Sequence, residues 1–319
     1  MPEPIYTSRN CANPAYQLNW SYSLFWHSAP SDMSWLEALQ TATEPDGIRV
    51  LQHQFQKPSV SQFLVSTQPH VSPRVLVQRL KGRLQHLIRE THPEAFQRNY
   101  SLRSIGAANR ETIEGYVAGQ LEHHPPADPR VTEQFRSLQI HNADVDLAQP
   151  SRTSHAIYWY NLHIVLVNDG RYRNINPESM QALHDMIVKA SAAKQHGLSR
   201  GGLLPDHLHL ALRCGLEESP EDVALAYLNN LAYASGMKAV FRFGYFVGTF
   251  GEYDLGVIAR VLVRQSALHR ASSAGACLTK PPRRHRAPPS LLGGAVIDHY
   301  NETPEKTPAP AELARWSRD

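Results

Sequence analysis

The sequence predicts a mixed fold of strands and helices built from two similar halves, and three observations support this prediction. Both halves contain the same order of predicted elements, namely strand, helix, strand, helix, strand, helix. Residues 99–120 align without a gap with residues 244–265, at an offset of 145 (244 minus 99). Residues 58–64 align with residues 205–211 at an offset of 147 (205 minus 58). One supersecondary unit, duplicated and fused, is the simplest explanation.

In the first half, the elements follow from apolar periodicity and from residues typical of turns and helix caps. Ser72-Pro73 opens a helix whose apolar residues recur at helical spacing, and Ser34, with Glu37 three residues later, indicates a shorter one. Asn109 is expected to cap the last helix. The predicted strands are 16–26, 48–55, 63–66 and 100–105, and the predicted helices are 34–43, 73–90 and 109–121.

The second half repeats this order, and its own glycine and Ser-Pro signals mark where the helices begin and end. Gly197 ends a long amphipathic helix, Ser219-Pro220 starts the next, and Gly236 closes it. The predicted strands are 156–167, 203–212 and 241–249, and the predicted helices are 177–196, 220–235 and 254–268.

Composition shifts define the predicted domain organisation. An N-terminal extension at 1–15 precedes the first copy at 16–121. The segment 122–152 is proline-rich and is predicted to be a linker, with a short helix near its centre. The second copy spans 153–269, and the basic, proline-rich tail 270–319 has the composition of a disordered segment.

The overall composition favours a soluble globular protein, with 42% hydrophobic and 19% charged residues. No run reaches the ~18 apolar residues that a membrane span requires, and the N-terminus lacks the layout of a signal peptide. Three scattered cysteines indicate a reducing, cytoplasmic setting without a disulfide framework. The net charge of +3 is too small to indicate a class of partner.

Residues 204–212, Leu-Pro-Asp-His-Leu-His-Leu-Ala-Leu, carry two histidines two positions apart. In a strand, His207 and His209 point to the same face. Two neutral imidazoles on a rigid strand provide half of a divalent-metal site. The alternative is a pair of histidines on the solvated face of a half-buried strand, and spacing alone does not separate the two.

The two copies differ in complementary ways. The first copy has Val60 and Gln62 where the second has the two histidines. The second copy has Val261 where the first has Tyr116, on the last predicted helix. Each half therefore lacks what the other retains.

Three motifs, in this order, resemble those of a known family. They are RLKGR at 79–83, Tyr-Val-Ala-Gly-Gln at 116–120 and PDHLHL at 205–210. Together they resemble the single-tyrosine HUH transposases of bacterial insertion sequences, including the REP-associated tyrosine transposases. The resemblance covers about 16–120 and 156–268.

The resemblance implies an α+β fold, with two ferredoxin-like or RRM-like domains that have antiparallel sheets. Family members act as dimers on single-stranded DNA, and the tyrosine helix of one protomer completes the histidine site of the other. Two histidines and a glutamine one turn after the tyrosine bind Mg²⁺ or Mn²⁺. The tyrosine attacks a phosphodiester, which leaves a 5′-phosphotyrosine and a free 3′-OH.

This chain departs from the family because neither copy carries both elements. The resemblance then implies a monomer that forms a single-chain pseudo-dimer with one composite site. Tyr116 would be the nucleophile, and Gln120, His207 and His209 would be the metal ligands. The other site would be inactive. The alternatives for the nucleophile are Tyr245 and Tyr253 in the second copy.

Two further histidines of the second copy, His155 and His163, lie on or near its first strand. Both are expected to be sheet-face residues, although either could approach the metal or the DNA.

Basic residues are concentrated in the first copy. The window 74–103 contains seven arginines and lysines against two acidic residues, and the matching window 218–248 contains two against three. Such a surface suits phosphate contact with single-stranded or hairpin DNA, and the alternative is a solvated helix face. The candidate DNA-binding residues are Arg79, Lys81, Arg83 and Arg103.

The predicted function is metal-dependent nicking and joining of single-stranded DNA through a 5′-phosphotyrosine, by a derived or domesticated relative of the transposases. A single site could not hold two covalent DNA ends at once, which an ordinary mobile-element transposase requires. The alternative is a catalytically decayed relative that binds hairpin DNA.

Overall fold

The computed structural model describes residues 3–237 and 239–256 of the 319-residue chain. This part has the predicted α+β composition, with two six-stranded sheets and seven α-helices. Most of the predicted helix 254–268 and the whole tail 270–319 lie outside the described residues.

The first half begins with an irregular segment and ends in two helices, of which the first carries Tyr116. Ser72 and Asn109 cap their helices as predicted, and each side chain accepts a backbone N–H three residues on. The elements are β1 Ala15–Gln17, β2 Asn19–Trp26, α1 Leu36–Thr43, β3 Ile48–Lys57, β4 Val60–Thr67, α2 Pro73–Ile88, β5 Phe96–Ile105, α3 Arg110–Ala118 and α4 Gln120–His123.

The second half is longer because the segment 122–152, which was predicted to be a linker, itself forms one helix and two short strands. The predicted strand 156–167 is interrupted at Tyr160, and its two parts belong to different sheets. The elements are α5 Pro129–Ser137, β6 Ile140–His141, β7 Ser151–Arg152, β8 Ala156–Trp159, β9 Asn161–Val167, α6 Pro177–Ala193, β10 Gly197–Leu203, β11 His207–Arg213, α7 Pro220–Ser235 and β12 Phe246–Phe250.

The two sheets share the same central arrangement. The first sheet has the order β3-β4-β2-β5-β8-β7, and the second has the order β1-β12-β9-β11-β10-β6. The four strands β2 to β5 of the first half are antiparallel, as are β9 to β12 of the second, and in each set the first strand lies between the third and the fourth. Helices α1 and α2 pack together in the first half, as α6 and α7 do in the second.

Each half also contributes one strand to the sheet of the other half. Strand β1, which precedes β2, pairs in parallel with β12. Strand β8, which precedes β9, pairs in parallel with β5. The registers of the two parallel pairs match as well. Gln17 lies opposite Gly248, and the equivalent residues of the other halves, Trp159 and Arg103, also lie opposite each other. The exchange ties the two sheets into one continuous structure.

Two glycines at equivalent positions allow the halves to cross closely. Isolated bridges join Gly106 to Asp254 and Asn109 to Gly251, which is a reciprocal pair at the offset of 145 found in the sequence. A Cβ at Gly106 would clash with the Thr249 carbonyl oxygen, and a Cβ at Gly251 would clash with the backbone of the opposite half. Reciprocity of this kind is typical of an isologous contact between two copies.

Within the ranges that the structure describes, no helix combines the length and the apolar character needed to cross a membrane.

Candidate active site

The tyrosine helix α3 belongs to the first half but packs on β10 and β11 of the second sheet. Ile113 and Val117 are buried against Ala211 and Phe250 of that half. The helix comes close because β10 has Gly202 at the contact, where a Cβ would lie 2.7 Å from the Val117 carbonyl oxygen. The helix is therefore held against the histidine strand by apolar burial and by a glycine-permitted approach.

Polar contacts fix the same helix at its N-terminal end. The Glu114 carboxylate accepts a hydrogen bond from the Ser199 hydroxyl of β10. It also pairs with Arg110 at 2.9 Å, and the Arg110 backbone N–H donates to the Gly251 carbonyl oxygen at 2.6 Å. Because Glu114 is buried and its charge is paired, these contacts determine where the helix docks.

This docking brings Tyr116 against the histidine pair. The Tyr116 and His209 ring centroids are 5.5 Å apart, and the rings meet edge-on at 85°. The His207 and His209 centroids are 5.1 Å apart. Tyr116 is half-buried, and both histidines are buried. One cluster therefore combines a phenol from the first half with two imidazoles from the second.

Gln120 joins this cluster as the first residue of α4, and its side chain is fully buried. Its Nε2 donates to the Tyr116 carbonyl oxygen at 3.0 Å. Its Oε1 has no hydrogen-bond partner among the described residues, and the same holds for His207 Nε2 and His209 Nε2. Buried polar atoms are rarely left unpaired, so these three atoms are candidates to bind a ligand that accepts lone pairs.

A divalent cation fits this donor set. Imidazole nitrogens suit transition metals, and an amide oxygen suits harder cations, so Mn²⁺ matches the combination better than Mg²⁺ does. In the part of the chain that the structure describes, no group of three or more His, Cys, Asp or Glu side chains is arranged to hold a metal. A cation here would therefore rely on Gln120 Oε1 and on oxygen atoms from substrate or water.

Burial keeps the His163 and His209 rings neutral. It lowers the pKa of His163, on β9, to about 3. Burial, followed by the neighbouring His207, His163 and His124, lowers the pKa of His209 well below its usual value. Neutral rings have the lone pairs that a cation needs. Burial also raises the pKa of Tyr116, which makes the phenol a weak nucleophile in the absence of a nearby positive charge.

A carboxylate orients His207. Its Nδ1 lies 2.7 Å from Asp206 Oδ1, and Arg171 pairs with the other oxygen of Asp206 at 3.2 Å. Burial alone would raise the pKa of the Asp206 carboxyl, but the hydrogen bond and the charges of His207 and Arg171 lower it to about 2. Since an ionised carboxylate only accepts hydrogen bonds, it selects the neutral His207 tautomer with the proton on Nδ1, in which Nε2 keeps its lone pair.

Two histidines of the cluster were not among the predicted site residues. The His124 ring lies edge-on to His207 with centroids 5.8 Å apart. Its position four residues after Gln120 and eight after Tyr116 is the sequence signal that could have identified it. His163, expected to be a sheet-face residue, lies with its Nε2 3.1 Å from His209 Nδ1.

The predicted DNA-binding residues make contacts within the first half. Arg79 and Arg83 both pair with Asp46, at 3.9 and 3.1 Å. Lys81 donates to the Gln97 carbonyl oxygen at 2.6 Å, and burial lowers its pKa. The Arg103 guanidinium lies 3.7 Å from the centroid of the Trp159 ring. Trp159 belongs to β8, the strand of the second half that pairs with β5 in the first sheet.

The alternative nucleophiles lie in different surroundings. Tyr245 is fully buried, and its hydroxyl lies 3.4 Å from Glu221. Tyr253 is half exposed. In the counterpart of the site, Gln62 donates to Ser21 and accepts from Ser23, and Val261 lies outside the described residues.

A family model with the description "Transposase IS200 like" matches residues 33–120. The matched segment ends at Gln120, so it includes Tyr116 and ends before the histidine strand. The match supports a relationship to the IS200-like transposases over this segment. No curated protein matches the chain.

Proposed function

We propose that this protein nicks and joins single-stranded DNA through a 5′-phosphotyrosine, with the help of Mg²⁺ or Mn²⁺, at one composite active site. Tyr116 is the nucleophile, and Gln120, His207 and His209 are the metal ligands. The match to IS200-like transposases over residues 33–120 supports DNA processing of the transposase type.

One observation carries the proposal, namely the edge-on contact between the Tyr116 and His209 rings at 5.5 Å. A half-buried tyrosine has no structural need to contact a histidine whose Nε2 has no partner among the described residues. Phosphodiester cleavage by a phenol needs that combination, because the scissile phosphate must lie beside both the cation and the nucleophile.

The bound cation would supply charge neutralisation at the scissile phosphate. The Tyr116 hydroxyl oxygen forms the new bond to phosphorus and releases its proton to solvent. The bond between phosphorus and the 3′-oxygen breaks, and that oxygen takes up a proton to become a 3′-OH. Joining is the reverse, in which a 3′-OH attacks the phosphotyrosine and Tyr116 recovers its proton.

The proposed architecture is a pair of ferredoxin-like units that arose by duplication and form a pseudo-dimer within one chain. Three features support it, namely the order shared by strands β2 to β5 and β9 to β12, the exchanged strands β1 and β8, and the reciprocal glycine bridges. A single chain then contains the tyrosine helix and the histidine strand, so a monomer is sufficient. One site cuts and reseals one strand at a time, which suits a derived or domesticated relative.

The proposed substrate is single-stranded or hairpin DNA, with Arg79, Lys81, Arg83 and Arg103 in the contact surface. Arg79 and Arg83 keep roughly half of their side-chain surface exposed, at 58% and 45%, and can still reach phosphate. The Arg103–Trp159 stack provides a planar surface of the kind on which unpaired bases stack.

The test is the formation of a covalent protein–DNA adduct on single-stranded hairpin DNA with Mn²⁺. Wild-type protein should form an adduct that survives denaturing electrophoresis and disappears with EDTA. Tyr116→Phe should abolish it, and Tyr253→Phe is the matched control that should retain it. An adduct that persists in Tyr116→Phe would contradict the proposal.

Hairpin binding that is independent of metal, without any adduct, would instead indicate the decayed DNA-binding alternative. In that case, His207→Ala and His209→Ala should bind DNA as well as the wild type does. The unpartnered nitrogens of both histidines argue against this alternative, because a purely structural role would leave them unsatisfied.

A further inference from the structure

His163 lies on β9, next to the histidine strand β11, and its ring is part of the Tyr116–His209 cluster. The His163 and His209 rings are nearly parallel, with centroids 5.3 Å apart and an angle of 15°. His163 Nε2 lies 3.1 Å from His209 Nδ1. Both side chains are almost fully buried, at 2% and 1% exposure, so water does not compete for this hydrogen bond.

A hydrogen bond between two neutral imidazoles has two possible directions, because each ring carries one proton. If His209 Nδ1 donates, His209 Nε2 keeps its lone pair and can bind a cation. If His163 Nε2 donates, His209 Nε2 carries a proton and cannot. His207 has no such freedom, since its partner Asp206 only accepts.

We propose that His163 is a positioning residue for the cation site. Its Nε2 accepts the hydrogen bond from His209 Nδ1, which fixes the ring orientation and directs the His209 Nε2 lone pair towards the cation. This inference rests on the proposed function, since it assigns His163 a role through His209.

The remaining proton of His163 then sits on Nδ1, which has no partner among the described residues. A small cavity of about 10 Å³ lies beside this ring and is also lined by Gln17 and Thr249. That volume is close to the minimum for one water molecule, which would accept a hydrogen bond from the Nδ1–H group.

The first half has the same pair of positions filled by different residues. Ser21 occupies the place of His163 at an offset of 142 (163 minus 21), because Ser21 lies opposite Leu64 as His163 lies opposite Ala211. There, Gln62 Nε2 donates to the Ser21 hydroxyl. The two neighbouring strands therefore support a side-chain hydrogen bond at this pair of positions in each half. In the second half, both partners of that hydrogen bond are imidazoles.

The test is the Mn²⁺ affinity of the full chain, measured from the electron paramagnetic resonance signal of free Mn²⁺. His163→Leu removes the acceptor and should weaken affinity by about 10–100-fold. His163→Gln places an amide near the ring Nε2 position and should stay within about threefold of the wild type. Ser21→Ala, the matched control in the first half, should leave the affinity unchanged.

Equal Mn²⁺ affinity in His163→Leu and the wild type would overturn the positioning role while leaving the cation site intact. A wild type that fails to bind Mn²⁺ would instead remove the cation site, and with it the proposed function and this inference. If His163→Leu fails to fold, the ¹⁵N chemical shifts of the His209 ring in the Mg²⁺-loaded wild type show which ring nitrogen carries the proton. A proton on Nδ1 supports the proposal, and a proton on Nε2 overturns it.

Discussion

The Ser104 and Thr249 hydroxyls make the same two hydrogen bonds, each to the opposite half of the chain. Ser104 Oγ accepts from the Asn161 backbone N–H at 3.0 Å and donates to the Phe250 carbonyl oxygen at 2.6 Å. Thr249 Oγ1 accepts from the Asn19 backbone N–H at 2.8 Å and donates at 2.6 Å to the carbonyl oxygen of the residue after Ser104. Both hydroxyls are buried where the two sheets meet.

The two hydroxyls should contribute equally to stability. Ser104→Ala and Thr249→Val each leave a buried N–H and a buried carbonyl oxygen unpaired, and each should cost about 1–3 kcal/mol. Urea unfolding of the full chain measures this. Ser101→Ala on the same strand is the control, with an expected change within about 0.5 kcal/mol. A large loss from one variant and none from the other would argue against equivalent roles.

The close approach of α3 to β10 should depend on Gly202. In Gly202→Ala, the new Cβ would lie 2.7 Å from the Val117 carbonyl oxygen, so the helix must shift away from the sheet. We expect a loss of stability of about 1–3 kcal/mol. We also expect about 100-fold slower adduct formation, because the nucleophile moves with its helix.

Gly82→Ala is the matched control for this substitution. Gly82 lies inside α2, and a Cβ there has no atom within 4 Å among the described residues. Alanine should stabilise this helix by about 0.5–1 kcal/mol and leave the adduct rate unchanged. Unimpaired adduct formation in Gly202→Ala would show that the helix position does not limit the reaction.

Complementation between chains should fail. Tyr116→Phe and His209→Ala should each be inactive, and an equimolar mixture should remain inactive because each chain lacks one part of its own site. Adduct yield on hairpin DNA measures this, with wild type diluted into each variant as the positive control. A mixture that regains adduct would show that the site forms between chains.

Acid should weaken the folded state through Asp206. Its folded pKa of about 2 lies below the ordinary value of 3.8, so the folded protein binds fewer protons at this carboxyl. The contribution is complete above about pH 4 and is lost as the pH falls towards about 2, for a total of about 2 kcal/mol. Urea midpoints between about pH 5 and 3 in EDTA should fall less steeply in Asp206→Asn than in the wild type.

Much of the local structure could be predicted because its signals are local. The helices α2 and α7 start at their Ser-Pro pairs, and α7 spans 220–235 as predicted. The predicted cap of α1 was wrong, because the Ser34 hydroxyl bonds to Asp32 and the helix starts after Trp35. Most of β10 was missed, since its three glycines suppress the pattern of a strand.

The relations between distant residues could be predicted only in part. The juxtaposition of Tyr116 with the histidine strand was expected from the complementary differences between the copies. The division of residues 156–167 between two sheets was not expected, because pairing partners are determined by tertiary context. The contact of His163 with His209 was missed for the same reason, since it exists only once β9 and β11 are paired.

The most direct test of the composite site is to identify the amino acid that becomes linked to DNA. Wild-type protein is incubated with single-stranded hairpin DNA and Mn²⁺, the adduct is digested, and the nucleotide-bearing peptide is sequenced by mass spectrometry. The expected result is a 5′-phosphate on Tyr116 alone, with none formed in His209→Ala. Linkage to Tyr253 or to another residue of the second half, or linkage to Tyr116 that survives His209→Ala, would contradict a site shared between the two halves.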